Sequence, residues 1–161
     1  MNAGPVVVGL GQRYGGDDAV GLHVARALAE EGLPAREAAD AATLLEVLAE
    51  GRPVVLVDAV VGGGAPGTVL RLSAEDLGSI RAVSSHGLGV AEVVKIAGRL
   101  LGAAPALEIV GVVVRPPAPG AEGLSEEVAR AVPRAATTVR GLLARGESAR
   151  SRSQTADGGT H

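Results

Sequence analysis

Cysteine, phenylalanine and tryptophan are all absent from the 161 residues. Without cysteine there is no disulfide scaffold, no thiol nucleophile and no zinc finger. Aromatic side chains reduce to Tyr14 alone, which leaves no stacking platform for single-stranded nucleic acid. One methionine and three histidines are too thin a supply for haem or an iron–sulfur cluster. Positive charge does not dominate either. Fifteen Lys and Arg stand against eighteen Asp and Glu, a formal net charge of −3, so no basic field draws the chain to nucleic acid or an anionic membrane. No apolar run approaches the roughly 20 residues of a membrane span. The start, Met1-Asn2-Ala3-Gly4-Pro5, lacks the basic region of a signal peptide. The expectation is a soluble cytoplasmic monomer with no nucleic-acid or membrane partner.

What is present is apolar and periodic. Hydrophobic residues make up 47% of the chain, enough to close a core in one domain, since about 100–200 residues per domain is usual. Pro5–Gly11 is a β-branched run stopped by glycines, as a strand buried on both faces reads. Asp18–Glu31 follows with Val20, Val24, Ala27 and Leu28 at helical spacing. A weak strand is expected at Ala35–Ala39 and a helix over about Thr43–Glu50. Pro53–Asp58 is the clearest strand and ends in a carboxylate. A strand at Thr68–Leu72, a helix at Leu88–Leu101 and a strand at Ala106–Val114 come next. Ser125 is expected to cap a last helix reaching about Leu143, which Pro133 should kink or break. From Gly146 to His161 no apolar period remains, so residues 1–145 read as the domain and 146–161 as a disordered tail.

Strands alternating with helices give an α/β sheet, mostly parallel and covered on both faces. Such sheets bind ligands at the carboxyl ends of their strands. Behind the first strand stands Gly9-Leu10-Gly11-Gln12-Arg13-Tyr14-Gly15-Gly16-Asp17-Asp18. It fails the dinucleotide pattern G-x-G-x-x-G at Tyr14, and two aspartates stand where a phosphate would need none. Taken singly, Asp17 and Asp18 read as helix caps, Asp58 as a loop-binding carboxylate, and Ser85 and His86 as first-turn residues. Together Asp18, Asp58 and His86 offer an N/O ligand set for a borderline divalent ion, with a coordination position left open. A serine-hydrolase reading through Ser85, His86 and Asp58 lacks the G-x-S-x-G elbow. His23 reads as a surface residue.

In this order the motifs resemble those of the [NiFe]-hydrogenase maturation endopeptidases. Gly9-Leu10-Gly11-Gln12 through Asp17-Asp18-Ala19-Val20-Gly21 is similar to the family's opening G-x-G-N-x-x-x-x-D-D/E-x-x-G. Asp40-Ala41-Ala42-Thr43 is similar to its D-G-G-T, Leu56-Val57-Asp58-Ala59 to its D-A strand, Pro66-Gly67-Thr68 to its P-G-T, and Ser84-Ser85-His86 to its S-x-H. Gln12 stands where asparagine is usual, and the D-G-G-T stretch has lost both glycines. The resemblance implies a three-layer α/β/α sandwich with a twisted, mostly parallel sheet of about five strands. It implies an endopeptidase that clips a C-terminal extension from a hydrogenase large-subunit precursor, its partner, after nickel insertion. Asp18, Asp58 and His86 would contact the nickel, which belongs to the substrate; Cd or Zn would substitute in vitro. Asp17 or Asp18 would act as base, and Gly9, Gly11, Gln12, Asp40 and Thr43 would line the substrate site. A non-catalytic metal- or nucleotide-binding module and an unrelated hydrolase on the same sheet stand as alternatives.

Overall fold

The computed structural model describes residues 4–78, 81–82, 89–116 and 122–156. Five strands lie side by side: β1 (Val6–Leu10), β2 (Ala35–Ala38), β3 (Val54–Val61), β4 (Val69–Leu72) and β6 (Leu107–Val113), in the order β2-β1-β3-β6-β4. The two-residue β5 (Arg81–Ala82) pairs antiparallel with the far end of β3. The pairs β1–β2, β1–β3 and β3–β6 are parallel, and β4 runs against β6. The sheet is therefore mixed but mostly parallel, as expected, and its three central strands are Val-rich because both their faces are covered.

Side-chain alternation along the strands divides the core in two. Val6, Val8 and Leu10 of β1 with Val54, Leu56 and Val60 of β3 meet helices α2 (Ala41–Ala49) and α3 (Val90–Leu101). Val7, Val55, Val57 and Ala59 face the other way, onto α1 (Val20–Glu30) and α4 (Glu126–Ala156). Two helical layers around one sheet make the three-layer sandwich.

Several boundaries move. The expected helix from Asp18 opens instead as a 3-10 segment, Gly16–Ala19, before α1. The expected strand ending at Asp58 continues three residues to Val61, because β6 pairs with it through Val60. Asp58 is thus inside a strand rather than at its tip. Helix α4 runs unbroken through Pro133 and on to Ala156, past both Leu143 and the expected disordered tail at Gly146. Proline removes one N–H, but the helix on either side is rich in Ala and Arg, which favour the helical state even where no apolar face is left to bury. The hydroxyl of Thr137 donates to the Pro133 carbonyl at 3.0 Å. The described helix α3 begins at Val90, with Gly89 before it. Its Val90, Val93 and Ala97 are buried as the spacing predicts, whereas Leu101 in the last turn is partly exposed.

Candidate active site

The opening glycines bring the site together by letting α1 lie against the sheet. A Cβ on Gly21 would sit 2.4 Å from the carbonyl oxygens of both Leu10 and Val57, and one on Gly9 would sit 2.1 Å from the Gly21 oxygen. No real side chain survives such contacts, so the spacing from Gly9 to Gly21 fixes α1 across β1 and β3. Gly11 is equally confined, with the Asp18 carbonyl 2.4 Å from where its Cβ would be. Gly9 and Gly11 are both buried, and what they touch is this packing.

Between them, the chain leaves β1 through a turn in which the Gly15 N–H donates to the Gln12 carbonyl at 3.0 Å. Gly16 then takes φ +61°, a left-handed conformation that glycine adopts without strain. The 3-10 segment that follows packs on β3 and carries the two aspartates. Asp17 Oδ1 accepts the backbone N–H of Ser125 at 2.6 Å, 108 residues away. Ser125 directly precedes α4, and its carbonyl accepts the Ala129 N–H at 2.8 Å, as a cap residue's does. Asp18 is buried, 8% exposed, with its Oδ1 wholly enclosed.

Asp17 and Asp18 share one wall of a cleft of about 360 Å³, and Val114, Arg115, Leu124 and Ser125 supply the other. Asp58, 2% exposed, does not line it. In the strand alternation Asp58 falls in line with Leu56 and Val60, on the α2 and α3 side, with Gly111 of β6 opposite it. Asp18 and Asp58 are the two buried charged residues among those described, one in the 3-10 segment after β1 and one within β3, the strand pair at which the order of the strands reverses direction. Ser84, Ser85 and His86 lie outside the described residues, and among the described residues no three metal-ligating side chains gather. A larger cleft of about 570 Å³, with Pro5, Pro53 and Pro105 in its wall, lies at the amino ends of the strands, away from both aspartates.

Asp40 and Thr43 have a local task. The Asp40 carboxylate accepts the Thr43 N–H and the Thr43 hydroxyl, both at 2.9 Å, and so caps α2. These bonds hold the Asp40 carboxyl below the ordinary aspartate value of 3.8, the backbone N–H of Thr43 contributing most. Gln12 is exposed, its amide 3.5 Å from the Ala39 carbonyl, at the outer limit of a hydrogen bond. His23 is exposed on α1, as expected. The role of Asp17 in tying α4 to the site was missed by sequence reasoning. An aspartate followed 108 residues later by a helix-capping serine carries no local signal.

The comparisons with known proteins agree with this architecture. A family model described as hydrogenase maturation protease (HycI) matches residues 38–141. Protein FrxA of Pyrococcus furiosus is 37% identical over 140 residues, covering 82% of this chain and 99% of FrxA. The [NiFe] hydrogenase maturation protease HybD of Thermococcus kodakarensis has a TM-score of 0.69 at 26% identity, over 88% of this chain and 99% of that one. HybD of Escherichia coli, a hydrogenase maturating endopeptidase, has a TM-score of 0.71 at 26% identity, over 89% and 93% of the two chains. No helix among the described residues is long and apolar enough to cross a membrane. The chain belongs to the hydrogenase maturation protease family and is a hydrolase.

Proposed function

We propose that this protease removes a C-terminal extension from a [NiFe]-hydrogenase large-subunit precursor once nickel is in place, and that Asp18, Asp58 and His86 read that nickel. The observation that carries the reading is two buried carboxylates, 8% and 2% exposed, one in the segment that follows β1 and one within the neighbouring β3. Taking a carboxylate out of water is costly, and proteins do it where the charge has a use, meeting a cation among them. Oxygen ligands from Asp18 and Asp58 with one imidazole from His86 suit a borderline divalent ion. Such a set, free of thiolates, holds metal weakly enough to release it with the product.

The metal is then part of the substrate, and Cd or Zn would occupy the same ligands in vitro. In the precursor it would polarise the scissile carbonyl or lower the pKa of a water beside it, with Asp18 close at hand as base. Asp17 enters this scheme as an anchor: one of its oxygens is committed to Ser125, so it holds the cleft wall rather than exchanging a proton. The site of action is the cytoplasm, where the precursor would be met before assembly.

The experiment is to incubate the purified protein with nickel-loaded precursor and with unrelated unfolded polypeptides, then weigh the products. The reading predicts one released C-terminal peptide from the precursor and no cleavage of the others. General proteolysis would point to an unrelated hydrolase specificity on this sheet.

A further inference from the structure

We infer that Tyr14 is a docking anchor that seats the protease on the folded surface of its precursor, beside the cleft that holds Asp18. The inference rests on the function proposed above. A chain with no Phe or Trp and a single Tyr has one aromatic side chain to place, and it places it 90% exposed. Folding gains nothing from that position, since an exposed ring buries no apolar area.

Tyr14 is presented on a hydrogen-bonded turn. Tyr14 sits inside the turn closed by the Gly15 N–H and the Gln12 carbonyl, with the confined Gly11 on one side and Gly16 on the other. Three residues on, Asp17 ties the same segment to α4 at 2.6 Å. A tyrosine side chain has only two torsions to fix on binding, which makes it an efficient contact residue. Aromatic residues dominate the few positions that carry most of an interface's energy.

The occupant is the folded precursor rather than its extended tail alone. The cleft of about 360 Å³ does not include Tyr14 in its wall, so a peptide filling the cleft need not touch the ring. A folded protein whose tail enters the cleft brings its own surface against the β1–α1 turn. The chemistry that fits is a shallow apolar depression next to the tail's exit point. Arg13, exposed at the same tip, would favour a carboxylate on its rim.

Calorimetric titration of nickel-loaded precursor into the protein tests this, with Tyr14→Ala and Tyr14→Phe compared with the unaltered chain. The account expects Tyr14→Ala to weaken binding about tenfold or more and Tyr14→Phe to stay within about twofold, since the ring is the anchor. Cleavage followed in parallel should show KM rising in Tyr14→Ala with kcat unchanged. Equal affinity of Tyr14→Ala and the unaltered protein would overturn the docking role, as would a fall in kcat at constant KM. Binding that Tyr14→Ala weakens, in a protein that releases no peptide from the precursor, would leave docking standing and overturn the proposed function instead.

Discussion

Asp17 and Ser125 are joined across 108 residues by one hydrogen bond of 2.6 Å, carboxylate oxygen to backbone N–H. The bond connects the segment carrying Asp18 to the start of α4, and both partners line the same cleft. A carboxylate at the N-terminus of a helix is also favoured by the helix dipole. The two sides of the cleft are thus tied to one another through the Asp17 side chain.

An anchor and a base respond differently to substitution. Asparagine at position 17 keeps an oxygen that accepts the Ser125 N–H but has neither the charge nor a proton to exchange. Asp17→Asn should keep kcat within a few-fold of the unaltered protein. Asp17→Ala leaves the Ser125 N–H without this acceptor and should lower kcat about ten- to hundredfold, as small misplacements of reacting groups do. Peptide release measured well below each variant's melting temperature distinguishes them. An Asn variant as slow as the Ala variant would return Asp17 to the chemistry.

Gly21 should be irreplaceable on steric grounds. Its Cβ would meet two backbone oxygens at 2.4 Å, and neither strand can retreat without breaking its pairing. Gly21→Ala should cost about 1–3 kcal/mol or more, as overpacking does, although alanine is the better helix former. Denaturant unfolding of the variant checks this; an unchanged midpoint would mean that α1 does not lie this close to β1 and β3.

Much of this arrangement could be read in the chain, and the failures have physical reasons. β1, β3 and β6 are legible because strands buried on both faces become unbroken Val-rich runs. The faces of α1 and α3 follow from their period, though Ala25 rather than Ala27 of α1 is buried in full. The continuation of β3 past Asp58 was not legible, since a charge inside a strand looks like its end until the partner strand is known. The bond from Asp17 to Ser125 is tertiary and has no local signature. Asp40 and Thr43 matched a family motif, yet their three-residue spacing is equally that of a helix cap.

The cap on α2 gives a pH dependence of definite sign. The folded-state pKa of Asp40 is lowered, mainly by the Thr43 N–H, so its contribution is in force at and above the unfolded value near 3.8. It is lost as the pH falls through the lower folded value. Asp40→Ala should therefore melt earlier than the unaltered protein at pH 7, by a margin that shrinks below pH 3.8. Asp40→Asn, which caps about equally well, should melt close to the unaltered protein at pH 7. Thermal melts across this range decide it, and a margin that grows on acidification would contradict the capping role. Peptide release should be unaffected by Asp40→Asn if capping is the residue's whole task.

The central claim is that buried carboxylates and one histidine read nickel in the precursor, and the most direct measurement is the rate of peptide release from nickel-loaded and nickel-free precursor. The unaltered protein should process the loaded form and leave the nickel-free form intact. Asp18→Ala, Asp58→Ala and His86→Ala should lose processing of the loaded form about a hundredfold or more, with folding verified by circular dichroism. Full-rate processing of nickel-free precursor by the unaltered protein would contradict the account and leave Asp18, Asp58 and His86 without a metal to read.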